Sequence, residues 1–229
     1  MVTVISLGGS IVAPDKADER FLRDFTHLVE TALAEDSARR FIFVVGGGGP
    51  ARAWQEAYRG VARSPSADEA DWIGVMATRL NAQLVRGILR EWCPQAVVTD
   101  PTQVSAFEGR VLVAAGWKPG FSSDYDAVLL AERFHADTVI NLSNISQVYT
   151  EDPKVNPQAT PIDRISWPDF QALVGSEWIP GKNVPFDPVA SRYGANLGLR
   201  VICAAGRDLA NLKKILQGDS FLGTVIGPR

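Results

Sequence analysis

An α/β fold, a three-layer αβα sandwich with a central and mostly parallel sheet, is what the 229-residue sequence predicts. Three observations carry the prediction. Short apolar runs alternate with amphipathic helical segments along the chain, the pattern of strand–helix–strand units wound about one sheet. The runs are apolar at successive positions, as strands covered on both faces require. Two of them end in glycine clusters, "SLGGS" at 6–10 and "VVGGGGP" at 44–50, each just before a helical segment.

The elements follow in order. Residues 2–7 form an apolar run that ends in Gly8, Gly9 and Ser10, a buried strand entering a turn. Residues 19–34 place Phe21, Leu22, Phe25, Leu28, Val29 and Leu33 at helical spacing. Residues 41–45 are too few for most helices and are closed by glycine, and Pro50 then suits a first helical turn. Residues 71–89 read as a long amphipathic helix with Ile73, Met76, Leu80, Leu84 and Ile88 on one stripe. Strands are expected at 96–99, 111–114, 138–142 and 200–204, and helices at 123–134, 189–198 and 209–216. Residues 150–188, rich in Pro, Asn and Asp, read as a loop-rich insertion inside one domain spanning 1–229.

Composition narrows the function classes. The chain is 46% hydrophobic and 21% charged, ordinary for a globular protein. A net charge of −3 without a basic cluster argues against a nucleic-acid partner. Cys93 and Cys203 are too few and too far apart for a disulfide scaffold or a cysteine metal site. His27 and His135 read as surface or helix residues. The N-terminus lacks a signal-peptide pattern, and no run reaches the roughly 18 apolar residues that would span a bilayer. No membrane partner and a cytoplasmic, reducing location are expected.

The glycines carry the chemistry. In open α/β sheets ligands bind beyond the carboxyl ends of the strands, where both clusters fall. Glycine permits positive φ and close approach of backbone to a ligand. Free N–H groups in such turns, with a helix N-terminus beyond, attract an anion. Arg52, in the first turn after the second cluster, opposes the helix dipole unless an anion lies between them. Neither cluster is a P-loop or a dinucleotide fingerprint. Two packing turns remain the alternative to two phosphate seats. Two phosphate seats are what a phosphoryl-transfer enzyme needs.

Six segments in order resemble the amino acid kinase superfamily and, within it, the uridylate (UMP) kinases of archaeal type. They are "SLGGSIVAPD", "VVGGGGPARAW", "DWIGVMATRLNAQL", "GWKPGFSSDYDAVLLAE", "INLSNISQVYTEDPK" and "PFDPVASRYGANLGLRVICAAG". The resemblance implies an amino acid kinase-like fold, with an acceptor-binding part at about 1–120 and an ATP-binding part at about 121–229. It implies the reaction of ATP with UMP to give ADP and UDP, with Mg2+, and a homo-hexamer or other homo-oligomer. On the ATP side it implies Gly8, Gly9 and Ser10 at the phosphates, with Ser143, Asn144, Tyr149, Asp152 and Pro153 around the rest of the nucleotide. On the UMP side it implies Gly46, Gly47, Gly48 and Arg52 at the phosphate and Asp71 at the ribose. Thr78, Ser122 and Ser123 would reach the acceptor, and Asp124 would orient loops or phosphates. Asp71 and Ser122 also suit helix N-termini, and Thr78 suits back-bonding within its helix.

The sequence departs from the family pattern at several points. Ser6 stands where many members have the lysine that bridges donor and acceptor phosphates. Lys16, Lys118 and Lys182 are the candidate replacements, with Lys118 preferred as the catalytic cation because its loop lies between the substrates in the family layout. Trp117 replaces a small hydroxyl residue, Ser146 and Gln147 replace Asp-Gly, and Tyr125–Asp126 is unusual in its acidity. These changes leave room for a sister kinase with another phosphate or carboxylate acceptor, or for a nucleotide-binding or storage protein without turnover. Phe21, Phe25, Trp54 and Tyr58 are expected to contribute to a contact between copies.

Overall fold

The computed structural model describes residues 2–153, 155–175 and 184–228. The chain opens with β1 (Val2–Leu7), the single-turn helix α1 (Gly9–Val12) and α2 (Glu19–Glu35), which Asp18 caps by accepting from Phe21 N. Then come β2 (Arg40–Val45), α3 (Gly48–Val61), α4 (Ala67–Ile88) and β3 (Val111–Ala114). Next are α5 (Ser123–Arg133), β4 (Thr138–Ser143), β5 (Val148–Tyr149), β6 (Pro161–Ile162) and β7 (Arg164–Ile165). The last elements are α6 (Trp167–Val174), α7 (Pro188–Asn196), β8 (Arg200–Ala205), α8 (Leu209–Gln217) and β9 (Thr224–Ile226).

Seven strands form one sheet in the order β3-β2-β1-β4-β8-β9-β7, and β5 and β6 pair apart from it as an antiparallel ribbon. From β3 to β8 the pairing is parallel; β9 runs against β8. The side-chain period of two divides the strands between two cores. Ile5, Leu7, Phe41, Phe43 and Val45 pack with α2, α4 and α8 through Phe25, Leu33, Val85 and Leu212. Val4, Ile42 and Val44 pack on the other face with α5, α6 and α7 through Val128, Leu130, Phe170 and Ala190. The three layers and the mostly parallel sheet are as expected. Among the described residues no helix is long and apolar enough to cross a membrane.

Four details differ from the sequence reading. The long helix starts one turn earlier, because Ser66 caps it by accepting from Glu69 N. The expected strand at 96–99 contributes only a bridge between Val98 and Ala114, with the chain bent at Gln95 and Thr99 on either side of it. The segment after residue 150 is more than loop: β7 joins the main sheet, and Trp167 is buried with its indole N–H donating to Leu199 O. The largest difference lies on α4. Its Met76–Leu80–Leu84–Ile88 stripe faces outward, while Ala70, Val75, Ala77, Asn81, Ala82 and Val85 face inward. The inward face must come close to the glycine turns and β3, and only small or polar side chains leave that room.

Candidate active site

The order of the strands puts a topological switch beside β1. The chain adds β2 and β3 on one side of β1 and then returns to place β4 on the other. Ligands in such sheets bind at the carboxyl ends there. Leu7 pairs with Val45 and Leu142, so Gly8, Gly46 and Ser143 emerge together. Gly8 N donates to Leu142 O, and Gly46 N donates to Leu7 O.

The two glycine turns touch. A Cβ on Gly9 would lie 2.5 Å from Gly46 C and 2.6 Å from Gly47 N, and would run into Gly48 N. Gly48 has φ of +66°, a conformation costly for any residue with a side chain, and Gly49 N donates to Ala13 O. Among the described residues, the amides of Gly9, Ser10, Gly47 and Gly48 have no hydrogen-bond acceptor. Asn81 holds the second turn from below, donating through Nδ2 to Gly46 O at 2.9 Å and Gly47 O at 3.0 Å. Its carbonyls thus bonded, this turn leaves the N–H groups of Gly47 and Gly48 for an anion.

Ser6, at the position of the missing lysine, is buried at the end of β1 and donates through Oγ to Asp124 Oδ1 at 2.9 Å. Asp124 Oδ2 accepts from Asp187 N at 3.2 Å. Asp124 is half-buried, and protein atoms ring its carboxyl. Loss of solvation and then the nearby Asp187 raise it to about 6, against the opposing bond from Ser6. Burial likewise raises Asp187, whose side chain caps α7 by accepting from Ala190 N. Cys203 is fully buried beside this pair, and desolvation pushes its thiol far up, so it is inert.

A loop of residues 116–121 joins β3 to α5. Gly116 N donates to Thr78 Oγ1 at 2.8 Å, while Thr78 itself donates to Val75 O at 2.6 Å. Thr78 therefore both back-bonds within its helix and holds the loop. Gly120 N donates to Asp71 Oδ2 at 3.1 Å. A cavity of about 520 Å³ opens there, lined by Arg59, Ser66, Asp68, Asp71, Pro119 and Gly120. Lys118 Nζ lies 3.9 Å from the centre of the Trp117 ring and 5.2 Å from that of Phe121. Arg52 reaches from α3 to Pro14 O at 3.3 Å and makes no ion pair among the described residues.

The remaining candidates fall as follows. Ser122 caps α5 by accepting from Tyr125 N, and Ser123 is the first residue of that helix. Ser143 ends β4 beside Gly8, and the exposed Asn144 follows it. Tyr149 lies on β5, and Asp152 and Pro153 lie in its connection to β6, where Asp152 O accepts from Val155 N and Asn156 N. Gln147 is buried and donates to Asp163 Oδ1 and Gly223 O, a structural role. Lys16 is exposed, and Lys182 lies outside the described residues. Phe21 and Phe25 belong to the core and are unavailable to a partner, because α2 turns them onto the sheet. Asp126 and Asp187 matter to the site but were absent from the candidates; the unusual acidity at 126 was the only sequence signal for the former.

Residues 1–204 match the family model described as the amino acid kinase family. A uridylate kinase of Methanospirillum hungatei is 36% identical over 228 residues, covering 97% of this chain and 93% of the relative. One from Pyrococcus abyssi is 32% identical over 233 residues, with both chains covered in full. The crystal structure of uridylate kinase from Archaeoglobus fulgidus matches with a TM-score of 0.85 and 31% identity over 99% of this chain and 100% of that one. Aspartate kinase from Synechocystis, at 16% identity and a TM-score of 0.73, shares the fold alone. With its switch point, its paired glycine turns and full-length likeness to the uridylate kinases, the chain belongs to the amino acid kinase family, among the archaeal uridylate kinases.

Proposed function

We propose that this chain transfers the γ-phosphoryl group of ATP to the phosphate of UMP, giving ADP and UDP. The observation that carries the reading is the pair of touching turns with four free amides. Donor and acceptor anions seated on adjacent turns are held close enough for direct transfer, and positioning with charge neutralisation is most of what this chemistry needs. Gly8, Gly9 and Ser10 hold the ATP phosphates, with Ser143, Asn144, Tyr149, Asp152 and Pro153 around the rest of that nucleotide. Gly46, Gly47, Gly48 and Arg52 hold the UMP phosphate. Arginine offers a forked donor set for phosphate oxygens. Asp71 takes the ribose hydroxyls in exchange for Gly120 N, with Thr78, Ser122 and Ser123 shaping the acceptor side. Asp124 orients the loops around the transferred group, and Lys118 supplies the cation that Ser6 does not. Among the described residues no cluster of three acidic, histidine or cysteine side chains could cage a metal. Mg2+ would come with the ATP phosphates, held by phosphate oxygens and water, and would neutralise their charge.

The resemblance to a family of homo-oligomers gives the outward face of α4 a role. Trp72, Met76, Leu80, Leu84 and Ile88 repeat every four residues, with Trp54 and Val61 of α3 alongside; Leu80 and Trp54 are each 68% exposed. Together these seven expose on the order of 700 Å², above the roughly 300–600 Å² of a typical monomer's largest patch and near the ~800 Å² each partner brings to a standard interface. Two such ridges packed about a two-fold axis form the first dimer of a hexamer or other homo-oligomer. ADP release measured with UMP, CMP, AMP, glutamate and carbamate tests the activity. Release with UMP far above the others is expected. Release with a different acceptor, or none while nucleotide still binds, would overturn it.

A further inference from the structure

The loop of residues 116–121 is held by Thr78, Asp71 and Arg79 of α4 and by Asp126 of α5; neither Arg79 nor Asp126 has a place in the reaction above, and Asp126 is the fully buried one. Asp126, in the first turn of α5, is completely buried. Its Oδ2 accepts from Trp117 N at 3.1 Å. Its Oδ1 has no partner, although it too is buried. No ion pair reaches the carboxyl among the described residues. Asp124 on the same helix and Asp100 before β3 act on it with negative charge, while the Arg79 guanidinium of α4, which donates to Trp117 O, makes no ion pair with it. β1 brings the hydroxyl of Ser6, already given to Asp124, and β2 passes the helix with the uncharged Ile42 and Val44. On α7, Arg192 acts on Asp187, while Lys118 is stacked over Trp117. A buried, unpaired carboxylate is expensive; a proton on the free oxygen removes that cost and leaves Oδ2 as an acceptor.

We propose that Asp126 is a positioning residue that sets the acceptor-side loop, fixing Trp117 through its N–H and thereby Lys118, and that it does so as a neutral carboxylic acid. The chain of contacts is short. Trp117 N is fixed by Asp126, the Trp117 ring carries the Lys118 ammonium, and Gly116 and Gly120 are tied to Thr78 and Asp71 on α4. Between those two ties Arg79 Nη2 also donates to Trp117 O at 3.0 Å, so loss of Asp126 frees the N–H side of Trp117 and loosens Lys118 without releasing the whole stretch. Burial first, and the neighbouring Asp124 and Asp100 after it, raise this carboxyl to about 7, against the bond from Trp117. The folded chain therefore binds the proton more tightly than the unfolded chain. The stability this contributes is full below about pH 4 and is lost as pH rises towards 7.

The placement of the loop beside the acceptor rests on the reading of function above, whereas the anchor itself does not. Hydrogen exchange, melting and kinetics on the full chain separate the two. In Asp126→Ala, exchange of the 116–121 amides speeds up at least tenfold, kcat falls severalfold with the displaced Lys118, the KM for UMP rises at least tenfold, and the KM for ATP moves less than twofold. Asp126→Asn, which keeps an acceptor oxygen and cannot ionise, recovers most of that loss. Its melting temperature also gains on the natural chain by at least about 3 °C between pH 5 and pH 8. Unchanged exchange in Asp126→Ala would overturn the anchor. A pH-independent gap in melting between Asp126→Asn and the natural chain would overturn the neutral form. Faster exchange with the KM for UMP unmoved would uphold the anchor and overturn the acceptor-side reading. Should Asp126→Ala fail to fold, the asparagine variant still tests the proposal through its pH profile.

Discussion

Gly9→Ala tests the central geometry with a single methyl group. The new Cβ would stand 2.5 Å from Gly46 C and 2.6 Å from Gly47 N, where ordinary contact begins at 3.4 Å. All the atoms it meets are backbone, so no side chain can rotate out of its way. The second turn must retreat by about 1 Å, and misplacement on that scale costs about 100-fold in rate when reacting groups are held for direct transfer. That is about 2.7 kcal/mol of barrier. Overpacking lowers stability by about 1–3 kcal/mol, which a chain of this size survives with a fall in melting temperature of roughly 2–4 °C per kcal/mol. The assay is coupled ADP release at saturating ATP and UMP, alongside a melt by circular dichroism. The control is Gly60→Ala, on the exposed side of α3 with nothing within 4 Å of the new methyl, which should leave turnover unchanged. A folded Gly9→Ala protein turning over within threefold of the natural chain would refute the idea that contact between the turns sets the transfer distance.

Three further changes address the other parts. Arg52→Ala should raise the KM for UMP at least tenfold and that for ATP much less, and equal effects on both would remove Arg52 from the acceptor seat. Lys118→Ala should lower kcat at least tenfold, about 1.4 kcal/mol, with unchanged turnover transferring the cation's role elsewhere. Leu80→Asp puts a charge at the middle of the α4 stripe, and light scattering should then report a smaller assembly; an unaltered mass would place the contact between copies on another face.

Much was legible in the sequence, for definite reasons. Continuous apolar runs such as "FIFVV" can be buried on both faces only in a covered sheet, so β1, β2, β4 and β8 appeared near their true bounds. Glycine clusters after such runs announced the two turns, because only glycine tolerates the backbone approach found there. Short pairings escaped: β5, β6 and β7 have two residues each, too few to carry a period. The stripe on α4 was visible, but its direction was not. Periodicity reports that a helix has an apolar face without saying whether the sheet or another chain covers it, and here the sheet takes the Ala-rich side.

The sequence alone determined the layers, the mostly parallel sheet, the two glycine turns and the family. Those depend on local pattern, since burial on two faces, helical period and glycine turns each leave a mark within about twenty residues. Only the tertiary structure decided that the two glycine turns touch, that Ser6 is bonded to Asp124 across 118 positions, and that Asp126 lies buried with one oxygen unpaired. Contacts between distant residues arise when the sheet brings strand ends together, and no local spacing encodes them.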